Sequence, residues 1–136
     1  IRFGFTGTRA GMTERQRMRM EWLLQIALDF RHGDCVGADA EAHEIARNLG
    51  IPTDIHPPSR PELRAFCQGF RNIYPPKPYL LRNEDIVMVC DELIAVPGGM
   101  REEKRSGTWQ TIRSARRRGV PIWIVWPNGH ISMERR

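Results

Sequence analysis

Arg105-Ser106-Gly107-Thr108 places a cation, two hydroxyls and a glycine where a helical pattern begins. Backbone amides, the positive end of the helix dipole and hydroxyl donors would converge there on a phosphate. Plain capping of the helix by Ser106 or Thr108 would use the same residue types. A second turn, Thr6-Gly7-Thr8-Arg9-Ala10-Gly11, has two glycines that let backbone approach a ligand closely, with Thr8 and Arg9 between them. A third, His32-Gly33-Asp34-Cys35-Val36-Gly37-Ala38-Asp39, is also punctuated by glycine. Its Asp39 falls in the first turn of the next helix. There a carboxylate either complements the helix dipole or serves as an acceptor for a ribose hydroxyl or as a general acid/base. None of these turns is GxGxxG or GxxxxGK[ST], which argues against an ordinary dinucleotide or NTPase site.

Other reactive side chains promise less. Cys35 has no histidine placed beside it by sequence and reads as an inert thiol. His32, His43, His56 and His130 are scattered without metal spacing, so no metal is expected, nor any cofactor. His56 abuts Pro57-Pro58 at a strand end and could border a pocket. Asp91 precedes its strand and belongs at the opposite sheet edge. Trp109, Trp123 and Trp126 read as core.

The elements that must position these turns follow from periodicity. Arg2 to Thr6 predicts a strand. Thr13-Glu14-Arg15-Gln16 is a capping-box pattern. It opens a helix whose Trp22, Leu23, Ile26, Ala27 and Phe30 share one face. Ala42, Ile45, Ala46 and Leu49 define a second helix, stopped by Gly50. Ile51 to His56 is a short strand. Residues 57 to 78 hold six of the ten prolines and predict a loop, with regular structure only around Leu63 to Phe70. Tyr79 to Cys90 is a helix, Leu93 to Pro97 a strand, Thr108 to Arg118 a helix, and Val120 to Trp126 an apolar strand buried on both faces. Strands alternating with helices predict an α/β protein. The expected form is three layers, Rossmann-like, around a mainly parallel sheet of about five strands. Ligands of such sheets sit at the carboxyl ends of the strands, which is where all three turns fall.

The chain has 136 residues, 40% hydrophobic and 27% charged, and reads as a single domain over 1–136. No apolar run is long enough to span a membrane, no leader pattern opens the sequence, and Cys35, Cys67 and Cys90 form no disulfide framework. A cytoplasmic location is expected. The net charge of +5 lies entirely in residues 101–118, which hold seven bases and two acids. Such a patch is a possible footprint for phosphate or nucleic acid. Its Arg113, Arg116, Arg117 and Arg118 lie toward the C-terminal end of their helix, where cations are favoured with no ligand at all.

Gly4-Phe5-Thr6-Gly7-Thr8-Arg9, Gly33-Asp34-Cys35-Val36-Gly37-Ala38-Asp39, Arg82-Asn83 and Arg105-Ser106-Gly107-Thr108 occur in an order that resembles the SLOG superfamily. This Rossmann-like group spans the Smf/DprA DNA-processing proteins and the LOG "lysine decarboxylase-like" nucleotide hydrolases. The compact chain looks like one of its small stand-alone members. The resemblance implies a nucleotide site formed by Gly7, Thr8, Arg9, Gly37, Asp39, Arg82, Asn83, Arg105, Ser106, Gly107 and Thr108. LOG enzymes cleave the N-glycosidic bond of nucleoside 5'-monophosphates and carry PGGxGTxxE. Here Pro97-Gly98-Gly99 is separated from Gly107-Thr108 by inserted residues, and Thr111 stands where the motif has Glu. Asp39 or Glu84 would have to supply the carboxylate instead. Three functions remain open: binding a nucleotide or nucleotide-derived molecule, hydrolysing a nucleoside monophosphate, or binding single-stranded DNA. A homodimer is a further expectation, with apolar positions on the first helix as its surface.

Overall fold

The computed structural model describes residues 1–135. Its centre is a seven-stranded sheet. In chain order the strands are β1 (Arg2–Gly7), β2 (Asp29–His32), β3 (Thr53–Ile55), β4 (Asn72–Ile73), β5 (Glu92–Val96), β6 (Ile122–Val125) and β7 (Ile131–Glu134). The helices are α1 (Glu14–Leu23), α2 (Ala38–Asn48), α3 (Tyr79–Val89) and α4 (Gly107–Arg118). The spatial order is β4-β3-β2-β1-β5-β6-β7. All neighbours pair in parallel except β6 and β7. The chain leaves β1 toward one edge and returns beside it as β5, so the topological switch lies between these two strands.

The two faces of the sheet are covered by different helices. Phe3, Phe5, Phe30, Ile94 and Val96 pack with Met20, Leu23, Ala38, Ala42 and Ala46 of α1 and α2. Leu93, Ala95, Ile122 and Ile124 pack with Ile86, Val87, Trp109, Ile112 and Ala115 of α3 and α4. Along β5 consecutive side chains serve opposite cores, as the period of a strand requires. The result is the three-layer α/β architecture expected, with two more strands than the approximate count.

Three differences have physical reasons. The first helix stops at Leu23 and passes through a short 3-10 turn at Leu24–Ile26, so Phe30 belongs to β2. Trp22 and Ile26, assigned to a buried face, are 60% and 56% exposed. β2 was hidden because its buried residues Asp29, Arg31 and His32 are polar and find their charge or hydrogen-bond partners far along the chain, at Arg2, Arg71, Asp54 and His43. In the proline-rich segment the regular pieces are a 3-10 turn at Pro61–Leu63 and β4, rather than the stretch from Leu63 to Phe70. Leu49, expected to point inward, is exposed. Among the described residues no helix is long and apolar enough to cross a membrane.

The predicted capping box forms. The Thr13 hydroxyl accepts from the Gln16 backbone N–H at 3.1 Å, and the Gln16 side-chain Oε1 accepts from the Thr13 N–H at 3.0 Å. Gln16 also donates to the carbonyls of Pro97 and Val125, both at 2.9 Å. One buried amide thus ties the start of α1 to the carboxyl ends of β5 and β6.

Candidate functional site

The carboxyl ends of β1, β2 and β5 open into a cavity of about 620 Å³, within the range of small-molecule sites. Glycines bring its three loops together. A Cβ at Gly7 would lie 2.6 Å from the Ala38 Cβ, so only glycine lets β1 end against the start of α2. Gly37 has φ +92°, and any side chain there would collide with the Arg9 carbonyl. The Ala38 N–H donates to the Thr8 carbonyl at 2.9 Å across this contact, and the Thr8 N–H donates to the Val96 carbonyl at 3.1 Å.

The phosphate-type turn lies on one wall. Ser106 caps α4, its hydroxyl accepting from the Trp109 N–H at 3.3 Å. Gly107 and Thr108 are the first residues of the helix, whose N–H groups have no intrahelical acceptor. No atom lies within 4 Å of where a Gly107 Cβ would sit, so the backbone there is open to the cavity. Arg9 and Arg105 line the same space, and neither has a carboxylate partner among the described residues. Thr111 takes no part: its hydroxyl donates to the Gly107 carbonyl at 2.9 Å within α4.

Arg82 also lines the cavity and is 5% exposed. Its guanidinium donates to the backbone carbonyls of Gly33 and His56, to the Asn83 side-chain Oδ1 at 2.7 Å and to the Cys35 sulfur at 3.5 Å. A side chain on Gly33 would occupy the space of that guanidinium. Asp39, 6% exposed, accepts from the Cys35 N–H at 3.1 Å. Burial pushes its carboxyl up to about 6, against the pull of Arg82. The Cys35 thiol is likewise pushed up, by burial and then by Asp39, and so stays protonated.

Of the residues read as ligand-binding, Gly7, Thr8, Arg9, Asp39, Arg82, Asn83, Arg105, Ser106, Gly107 and Thr108 line this one cavity. Gly37 does not; it shapes the contact between two loops. Glu84 is also elsewhere, on the side of α3 that meets α4, with Arg118 at 2.9 Å and Arg117 at 3.7 Å. It has no place among the cavity carboxylates, which are Asp39 and Glu103. Sequence reasoning missed Arg60, Leu63 and Tyr79, which line the cavity from the proline-rich segment and the first residue of α3. Only the concentration of prolines into one long segment hinted at them. His56 lines a different, smaller cavity.

The fold does bring three scattered potential ligands together, since His32, His43 and Cys67 lie close enough to face one ion. Their hydrogen bonds account for them without one. The Asp34 N–H donates to His32 Nδ1 at 2.9 Å, so His32 Nε2 carries the proton and donates to His43 Nδ1 at 2.8 Å. His43 Nε2 then donates to the Gln68 carbonyl at 2.6 Å. All four ring nitrogens of His32 and His43 thus already have a role.

Neither a family model nor a curated protein sequence matches the chain. Several solved structures are similar to it, among them these two. TM1055, a structural-genomics target, aligns with a TM-score of 0.66 at 12% identity, over 89% of this chain and 71% of its own. DNA processing protein A (DprA) from Streptococcus pneumoniae aligns with a TM-score of 0.67 at 20% identity, over 90% of this chain and 49% of its own. The chain therefore spans about half the length of DprA. These are likenesses of fold, and they agree with the three-layer, Rossmann-like α/β architecture of this chain.

Proposed function

We propose that the chain binds a nucleotide or nucleotide-derived molecule in the cavity at the carboxyl ends of β1, β2 and β5. The phosphate would sit at the start of α4, between the N–H groups of Gly107 and Thr108 and the cations Arg9 and Arg105. Asp39 would face the ribose. Tyr79 and Leu63 offer an aromatic and an apolar surface for the base. The observation that carries this reading is the pairing of charge. Among the described residues Arg9 and Arg105 have no carboxylate partner, and they border a cavity that the start of α4 also lines. Thermal shift against nucleoside 5'-monophosphates and their parent nucleosides tests it. The phosphorylated members should raise the melting midpoint, by about 2.7 kcal/mol of added stability at a hundredfold excess over Kd. The parent nucleosides should do much less. A library in which no nucleotide moves the midpoint overturns the proposal.

Asp39 favours a second reading, hydrolysis of the N-glycosidic bond. A buried carboxyl pushed up to about 6 is partly protonated near neutrality and can donate a proton to a departing base. Incubation with nucleoside monophosphates and chromatography for free base decides it. Release of base that is lost in Asp39→Asn supports hydrolysis, and no release from any of them removes it.

A further inference from the structure

A second cavity, of about 270 Å³, lies beside β2, β3 and the outer face of α3 and shares no lining residue with the first. Two buried polar side chains border it, Arg31 and His56. Each leaves one nitrogen buried without a hydrogen-bond partner: Arg31 Nε and His56 Nε2. Such orphaned groups are uncommon in folded proteins and costly unless something supplies the missing partner.

Arg31 is also the least well served member of its own charge cluster. Asp29 and Asp54 are buried and hold most of their contacts with other residues. Arg71 reaches Asp54 at 2.8 Å and Asp29 at 3.1 Å, and Arg2 also pairs with Asp29. Arg31 stands off at 3.5 Å from Asp54 and 3.7 Å from Asp29. Three guanidinium groups thus share two carboxylates, and one positive charge remains over. Lys77 and Asp85 cancel each other at 2.7 Å, so they do not offset it. The remaining walls are apolar or aromatic. Tyr74 stacks on the His56 ring with centroids 4.4 Å apart, and Pro75, Met88 and Val89 complete the lining. Met88 is 61% exposed, although it borders a cavity.

From this arrangement we infer that the second cavity is a binding site for a small organic anion, a carboxylate on an apolar or aromatic body. The carboxylate faces the Arg31 guanidinium from the cavity and balances the surplus charge. The body lies against Tyr74, Pro75, Met88 and Val89. The occupant is small, because the cavity has less than half the volume of the first.

Benzoate tests the assignment, with benzamide as its uncharged isostere and acetate as the anion without a body. Each is titrated into the full chain while backbone amide resonances are followed. Benzoate should shift the amides of His56, Tyr74, Met88 and Val89 and leave those of Gly107 and Thr108 in place. Benzamide should bind about tenfold more weakly, having lost the charge-assisted bond, and acetate about tenfold more weakly, having lost the apolar contact. Arg31→Gln should abolish the preference for benzoate over benzamide. Because Arg31 also serves the buried cluster, Met88→Glu is the companion variant. It alters only an exposed helical position and should weaken benzoate by about tenfold with the fold intact. The assignment is overturned if benzoate leaves those four amides unmoved or moves only Gly107 and Thr108. Equal binding of benzoate and benzamide, or unchanged affinity in a folded Met88→Glu variant, overturns it too.

Discussion

Arg105 and Arg118 belong to one basic stretch of sequence, yet the fold gives its two ends opposite environments. At the C-terminal end of α4 every arginine has a carboxylate. Arg113 pairs with Glu102 at 3.0 Å, and Arg116 with Glu134 at 2.9 Å. Arg117 and Arg118 share Glu84 at 3.7 and 2.9 Å. At the other end, Arg105 and Arg9, from the loop after β1, line the same cavity, and neither has a carboxylate partner among the described residues. Glu84 and Glu134 come from α3 and β7, too remote in sequence for a linear count of charge to include them. The surplus of 101–118 is therefore largely neutralised on the surface and retained where a ligand would enter. Charge density along a chain shows where cations are abundant; only the fold shows which are free.

The largest test of this contrast concerns the cavity cation that is not free. Arg82 is buried and its donors are spent on Gly33, His56, Asn83 and Cys35. Replacing it with Met leaves the Gly33 and His56 carbonyls without a donor, and Asp39 loses its nearby positive charge. The expected loss is about 4 kcal/mol of unfolding free energy, read from the midpoint of urea unfolding. An unchanged midpoint would mean that Arg82 does not hold the loop after β2 in place.

Asp39 gives the next largest effect, through pH. Its carboxyl lies at about 6 in the folded chain against an ordinary value of 3.8, so the folded state binds the proton more tightly. The stability this contributes is fully present below about pH 4 and is lost as pH rises through 6. At neutral pH the cost of the buried charge is about 3 kcal/mol. Asp39→Asn keeps an acceptor for the Cys35 N–H but cannot ionise. The difference in stability between the two proteins should move by up to about 3 kcal/mol toward the Asn variant between pH 4 and 7. Parallel pH profiles would show that Asp39 is solvated.

These two residues also mark where the sequence was readable. The turns at 6–11, 33–39 and 105–108 were recognisable because a strand feeding a helix through a tight turn needs glycine and hydroxyl residues, and those are local signals. β2 was not readable, since its buried residues Asp29, Arg31 and His32 are acceptable in a core only with partners at Arg2, Asp54, Arg71 and His43. The extension of the first helix to Phe30 followed from the same blindness, because Trp22 and Ile26 fit the period of a buried face but point outward. Arg60 and Tyr79 were missed for a related reason. Asp34 accepts from Arg64 at 2.8 Å and from the Cys67 N–H at 2.9 Å, and these bonds hold the proline-rich segment against the loop after β2. Nothing local encodes that contact.

Arg105→Ala isolates the free end of the basic stretch. An exposed side chain without a carboxylate partner contributes little to folding, so the melting midpoint should stay in place. Affinity for a nucleoside monophosphate should fall about tenfold to a hundredfold, the worth of one charge-assisted contact to phosphate. Unchanged affinity would remove Arg105 from the proposed site while leaving the cavity itself in play.

The smallest effect is expected at the paired end, and it bears on single-stranded DNA. If the arginines of α4 formed a polyanion surface, removing Arg117 and Arg118 would weaken binding and flatten its salt dependence, since each phosphate contact adds to the slope. Both already serve Glu84 on an exposed surface, where ion pairs contribute at most about 1 kcal/mol. To meet a phosphate they must first leave that carboxylate, which would then repel the strand. The double variant Arg117→Ala/Arg118→Ala should therefore change neither nucleotide affinity nor the salt slope for labelled oligonucleotide. Its stability should move by no more than about 1 kcal/mol. A slope that falls by about two in the variant would reverse the comparison and make the helix end the binding surface.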